Sequence, residues 1–155
     1  MASNNCDEAG IDFGTLHELT GYWIRRAQLN TFRQINECFA EFDITPGLFG
    51  ALEIVQRNPG LTQTAVAAAM GNDRSAMVAI VDKLEKRGLL VRQPAPNDRR
   101  SNALYLTEQG EAFQQQVRNR ALDHNQRFFS FLTVEQHQQL FDMLRLVAET
   151  DYPQD

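Results

Sequence analysis

Residues 62–110 leave this chain fewer options than any other stretch. Thr62 can cap a short helix whose apolar positions are Val66, Ala69 and Met70. Gly71-Asn72 breaks that helix, and Asp73 stands where the next one needs an N-cap. Met77, Ile80, Val81 and Leu84 then recur at i, i+3, i+4 and i+7, so the spacing predicts a second helix with one buried stripe, closed by Arg87-Gly88. Two helices joined by a tight glycine-containing turn form a helix-turn-helix. The pattern then shortens. Leu89-Leu90-Val91 and Ala103-Leu104-Tyr105-Leu106 read as two strands, and residues 93–102, rich in Pro, Asn and Asp, read as the loop between them.

The flanks read as helices. Leu16, Leu19 and Trp23 open a stripe that Phe32, Ile35, Phe39 and Phe42 continue, ending before Thr45-Pro46-Gly47. Thr45 is an N-cap and Pro46 a first-turn proline for a helix that buries Leu48, Leu52 and Val55 and stops at Asn58-Pro59-Gly60. Thr107 opens a long helix through Phe113, Val117, Ala121 and Phe128, and Thr133 caps a last one bearing Leu140, Leu144, Val147 and Ala148. The expected architecture is mainly α: a winged helix-turn-helix lobe over residues 45–110 with one small β-hairpin wing, flanked by helices over residues 13–44 and 111–155. Those flanks carry Trp23, Phe32, Phe39, Phe42, Phe128, Phe129, Phe131 and Phe141. That is more aromatic surface than one small core hides, so they are expected to pair with a second copy as dimerisation helices.

Composition narrows the function classes. The chain has 155 residues, 43% of them hydrophobic, enough for one domain with a packed core. Its net charge of −5 excludes a uniformly basic nucleic-acid coat or a polybasic membrane binder. The charge is uneven, however. Residues 62–110 carry seven basic groups against five acidic ones, net +2, while the segments before and after sum to −4 and −3. No apolar run approaches the roughly 20 residues that span a bilayer, and the start lacks a basic, then apolar, signal segment, so a cytoplasmic protein without membrane contact is expected. Cys6 and Cys38 are too few for a disulfide framework, and His17, His124 and His137 are scattered, so no metal site is expected. No phosphate loop, nucleophile elbow or paired carboxylates in motif context occur, so the chain reads as no enzyme, with no catalytic residues and no cofactor.

A winged helix assigns roles to its parts. Burial of the 77–84 stripe turns Arg74, Ser75, Val78, Ala79 and Lys83 outward, on a helix that the major groove of duplex DNA can admit. Arg74 and Ser75 would reach base edges or phosphates, and Val78 and Ala79 thymine methyl groups. On the wing, Arg99 and Arg100 are long cations for a minor groove or phosphates, and Asp98 can aim one guanidinium by a bidentate pair. A winged helix used only for protein assembly would instead show an acidic or apolar second helix and a wing without cations.

The segment LTQTAVAAAMGNDRSAMVAIVDKLEKRGLLVRQPAPNDRRSNALYLTEQG, residues 61–110, resembles the core of the MarR transcription factors. Asp98-x-Arg100 followed by Leu104-x-Leu106-Thr107-x-x-Gly110 matches that family's wing signature. The resemblance implies a homodimer on a palindromic operator, its recognition helices one DNA turn apart, about 34–36 Å. It further implies a repressor, here of an aromatic-compound catabolic or efflux operon, released by a small molecule. Many relatives carry a basic or polar residue near Ala79, so this chain is expected to lean more on Arg74, Ser75 and the wing. The stretch around Trp23-Ile24-Arg25-Arg26 is similar to a subgroup that senses CoA thioesters of aromatic acids. An aromatic acid or aromatic acyl-CoA would then rest its ring on Trp23 or Phe49, while Arg25 or Arg26 meets a phosphate or carboxylate. The alternatives are solvated arginines with Trp23 in packing, or a thiol-based redox sensor at Cys6 or at Cys38, which has Arg33 five residues before it.

Overall fold

The computed structural model describes residues 10–95 and 98–150, except for the side chains of residues 98–101. The elements are α1 (Thr20–Phe39), α2 (Pro46–Arg57), α3 (Gln63–Ala69), α4 (Arg74–Lys86), β1 (Leu90–Ala95), β2 (Asp98–Leu106), α5 (Glu108–Phe128) and α6 (Val134–Glu149). Five helices start on the caps that the sequence marks. Thr45 accepts from the Leu48 N–H at 3.4 Å, Thr62 from Ala65 at 3.2 Å, Asp73 from Ala76 at 2.7 Å, Thr107 from Gly110 at 2.9 Å and Thr133 from Gln136 at 3.2 Å. Each bond satisfies a donor that the first turn would otherwise leave without a partner.

The stop of α4 is equally local. Gly88 adopts φ +70, its N–H meets the Glu85 carbonyl at 2.9 Å, and the Leu89 N–H returns to Leu84 at 3.0 Å. That is a Schellman closure, and it turns the chain directly into β1. One core results. Leu48, Leu52 and Val55 of α2, Val66 and Ala67 of α3, and Met77, Val81 and Leu84 of α4 are buried together with Leu89, Leu90 and Leu104. Phe39 of α1 and Val117 of α5 complete it. Each of these side chains larger than alanine contributes about 1.5–3 kcal/mol by leaving water.

The structure departs from the sequence expectation in four places. α1 starts at Thr20, not Leu16: residues 14–18 form a 3-10 turn and Leu19 is extended, with φ −92 and ψ 121. That turn is held by the Trp23 indole, which donates to the His17 carbonyl at 3.0 Å, and by Phe13 stacked on His17. At its other end α1 stops at Phe39, and Ala40–Phe42 tightens into a second 3-10 turn. In α3 the buried alanine is Ala67 rather than Ala69, because the short helix presents Val66 and Ala67 to α2 and α4 while Ala69 points to solvent.

The strands are also longer than expected. Pairing runs from Leu90↔Leu106 to Pro94↔Asn102 and Ala95↔Asp98, with a shift between Pro94 and Ala95, so much of residues 93–102 is ribbon rather than loop. β1 is the edge strand away from residues 60–62, which accommodates Pro94 without losing a required donor. Gln93, Pro94 and Asn102, which read as loop by composition, are exposed residues of this ribbon. The base of the ribbon is tied down: the Gly60 N–H meets the Leu104 carbonyl and the Leu104 N–H the Leu61 carbonyl, both at 2.9 Å.

The outer helices have a different character. α6 has no buried residue, and Phe141, Met143, Leu144, Leu146 and Val147 along it are exposed. Trp23, Leu29 and Phe32 on α1 and Phe131 before α6 are exposed as well. Among the described residues, no helix is long and apolar enough to cross a membrane.

Candidate nucleic-acid interface and effector cavity

The N-terminal turn of α4 is built by Asp73. Its carboxylate takes the Ala76 N–H and the Ser75 hydroxyl, both at 2.7 Å. Those bonds, the backbone one first, hold its pKa below the ordinary aspartate value. Ser75 is thereby oriented at the head of the helix. Burial of Met77, Val81 and Leu84 leaves Arg74, Ser75, Val78, Ala79 and Lys83 exposed on one side, as their spacing predicts. The backbone of Asp98, Arg99 and Arg100 opens β2 at the far end of the ribbon, and their side chains lie outside the described residues.

The Thr-x-x-Gly signature has a mechanical reason. Thr107 donates its hydroxyl to the Gly88 carbonyl at 2.6 Å, and its N–H meets the Leu89 carbonyl at 3.2 Å. Gly110, one turn on, packs against the same carbonyl: a Cβ there would lie 1.9 Å from the Leu89 oxygen. The start of α5 is thus docked onto the junction between α4 and β1, linking α5 to the helix-turn-helix.

Between α1, α2 and α5 lies a cavity of about 580 Å³. Phe32, Phe39, Phe49, Phe128 and Phe129 line it, and Phe39 meets Phe49 edge-on with centroids 5.3 Å apart. Glu53, Arg118, His124 and Asn125 supply its polar groups. Glu53 accepts from the buried Gln114 amide, lies 3.9 Å from Arg118 and pairs with Arg57 at 3.4 Å. A chamber of this size, mostly aromatic with a few fixed polar groups, suits a flat aromatic ligand bearing a polar substituent.

Only one of the four ligand residues expected from the sequence lies in this cavity: Phe49. Trp23 and Arg26 line a separate groove with Asn30 and Arg33, and Arg25 lines neither. The cause is helical phase. Thr31, Phe32, Ile35 and Phe39 occupy one side of α1, and Trp23, Arg26, Asn30 and Arg33 lie on the other. Arg26 is engaged locally, donating to the Tyr22 hydroxyl at 3.1 Å. Phe32 and Phe128, expected to pair two chains, line this cavity, together with Glu53, Arg118 and Asn125, which no motif marks. Glu53, the one acid on α2, is the available signal.

Cys38 is half-buried, and its surroundings run against a reactive thiol. Burial pushes its pKa up, Arg120 draws it down and Glu41 raises it again, with a net upward shift that keeps sulfur protonated. Arg33, expected within reach of it, donates instead to Asn30 at 3.0 Å. Cys6 lies outside the described residues.

Comparison with known proteins places this geometry. The MarR family model matches residues 42–101. A Thauera aromatica protein named for transcriptional regulation of the hcr operon is 34% identical over 148 residues, which cover 95% of this chain and 89% of that protein. The solved structure of the repressor CouR bound to a 23-mer DNA duplex superposes with a TM-score of 0.85 at 38% identity, covering 90% of this chain and 99% of that one. CouR bound to p-coumaroyl-CoA gives 0.83 at 34% identity, covering 91% and 99%. The regulator PcaV from Streptomyces coelicolor, in complex with its natural ligand, gives 0.79 at 30% identity, covering 87% and 95%.

Proposed function

The chain belongs to the MarR family, and from that premise we propose that it is a homodimeric transcriptional repressor of aromatic-compound catabolism or efflux, released from its operator by an aromatic acyl-CoA thioester or the corresponding acid. The observation that carries this reading is the phenylalanine-lined cavity, whose walls belong both to the outer helices α1 and α5 and to α2 of the winged lobe. A ligand there touches the parts whose relative placement sets the spacing of two recognition helices. It releases DNA to the extent that it prefers the misspaced arrangement. Solved relatives bound to DNA and to p-coumaroyl-CoA support both halves of the reading.

In this reading residues 45–110 form the DNA-binding lobe, and residues 13–44 and 111–155 pair the two chains. Arg74, Ser75, Val78, Ala79 and Lys83 enter the major groove of a palindromic duplex, and Arg99 or Arg100, aimed by Asp98, reaches the minor groove. The ring of the effector sits beside Phe49, with Glu53 and Arg118 at its polar end. Trp23, Arg25 and Arg26 reach such a ligand only across the pairing surface, from the second chain. The deciding experiment is fluorescence anisotropy on a labelled duplex from just upstream of the gene, against a scrambled duplex, with p-coumaroyl-CoA or p-coumarate added. Selective binding reversed by either compound is the expected result. Binding that neither reverses removes the effector, and equal affinity for the scrambled duplex removes the operator.

A further inference from the structure

The groove-facing side of α4 carries a liability. Ser75, Val78 and Ala79 are followed along the same side by Asp82 and Glu85, whose side chains are 59% and 40% exposed. Asp82 lies seven positions after Ser75 and Glu85 seven after Val78, so both carboxylates continue the stripe that meets DNA. Two negative charges there would face a lattice of phosphates.

Arg92 of β1 meets both. Its Nη2 lies 2.5 Å from Asp82 Oδ1, its Nη1 donates to Glu85 Oε2, and its backbone N–H donates to Glu85 Oε1 at 3.3 Å. Nη2 also donates to the side-chain oxygen of Gln63, the first residue of α3, at 3.3 Å. The Arg92 side chain is only 20% exposed. One guanidinium therefore joins the first helix of the helix-turn-helix, the second helix and the ribbon. Resting on the DNA-binding reading above, we propose that Arg92 is a positioning residue of the DNA interface: it acts through Asp82 and Glu85, holding and neutralising the two carboxylates on the recognition face. A lysine cannot reproduce this role, because a point charge lacks the fork that serves both acids.

The test uses the full chain and a labelled mixed-sequence duplex, since the phosphate contribution is independent of sequence. Affinity is measured across a salt series, with thermal unfolding of each variant alongside. Arg92→Gln is expected to weaken binding about tenfold or more, because unmasked like charges at an interface are costly. Adding Asp82→Asn and Glu85→Gln to that variant should restore affinity to within a few-fold of the parent, whereas a merely structural role predicts no rescue. Arg92→Lys should fall between parent and Arg92→Gln. Should Arg92→Gln fail to fold, Asp82→Asn with Glu85→Gln in the presence of Arg92 decides: tighter binding and a salt slope steeper by about one phosphate contact support the proposal. Unchanged or weaker binding by that double variant overturns it, as does parental affinity in a folded Arg92→Gln. A parent protein that binds no duplex would defeat the DNA-binding reading itself, whereas normal binding by Arg92→Gln defeats only the role of Arg92.

Discussion

Arg87 donates to the Asp43 carbonyl at 2.5 Å and, with its other terminal nitrogen, to the Phe42 carbonyl at 3.0 Å. The last turn of the recognition helix is thereby fastened to the bend between α1 and α2. Asp43 at that bend has φ +47, the one positive value among the described non-glycine residues. The same guanidinium lies 5.1 Å from the ring centroid of Phe113 in α5. The phenylalanine-lined cavity and α4 thus share a joint, because the 3-10 turn that Arg87 grips follows directly on Phe39, a cavity wall.

Arg87→Ala should therefore destabilise the chain by about 2 kcal/mol, the typical loss when carbonyls lose a charged donor. Arg87→Lys should recover less than half of that, since an ammonium, although it has three donors, lacks the planar fork that spans the two carbonyls while lying against the Phe113 ring. Urea unfolding of the three proteins measures it. Equal midpoints for parent and alanine variant would show that the joint contributes nothing.

Gly110→Ala should be far worse than its chemistry suggests. The added methyl would sit 1.9 Å from a backbone oxygen, Leu89 O, which is held in turn by the Thr107 N–H, so the start of α5 must move. A loss of about 3 kcal/mol or more is expected. Gly50→Ala is the control: its methyl meets only the flexible end of Met70, at 3.2 Å, so the change should fall within about 1 kcal/mol of neutral. Thermal melts showing similar shifts for the two would contradict the packing described here.

Most helix boundaries were readable from the chain because they are local events. Thr45, Thr62, Asp73, Thr107 and Thr133 each act within three residues, and Gly88 within five. What escaped depends on contacts distant in sequence. The break at Leu19 depends on an indole returning to a carbonyl six residues earlier, and the longer ribbon on cross-strand pairing that composition does not encode. The cavity escaped for a related reason. A phenylalanine stripe such as Phe32, Phe39 and Phe128 looks the same whether it fills a core, pairs two chains or leaves a space, and only the assembled helices separate these.

Asp73 should make the start of α4 sensitive to acid. Its pKa lies below the ordinary aspartate value of about 3.9 because the charged form accepts bonds from the head of the helix. A depressed carboxylate stabilises the fold above its unfolded pKa and loses that contribution as pH falls through the lowered value. The first turn of α4, bearing Arg74 and Ser75, should accordingly stay intact through pH 5 and fray well below about pH 4. Following the Ala76 amide by NMR through an acid titration tests this. Asp73→Asn should remove that titration while keeping a cap, and Asp73→Ala should fray the turn and weaken DNA binding already at neutral pH. An Ala76 amide that responds identically in Asp73→Asn would place the sensitivity elsewhere.

The outermost helix argues for a second chain. An amphipathic helix is stable in water when its apolar side is covered, yet α6 buries nothing within its own chain and exposes Phe141, Leu144 and Val147 at spacings of three. Phe131 and Val134 extend the same surface, and Trp23 and Leu29 of α1 add a second apolar area. The parent protein should sediment at twice the chain mass at micromolar concentration. Leu144→Glu, which places a charge in the middle of the α6 stripe, should shift it to the monomer. Affinity for a palindromic duplex should then fall by tenfold or more, about what losing the second, tethered half-site implies. A parent that sediments as a monomer, or a Leu144→Glu protein that stays dimeric, would mean that α6 is covered in some other way and that the pairing surface lies elsewhere.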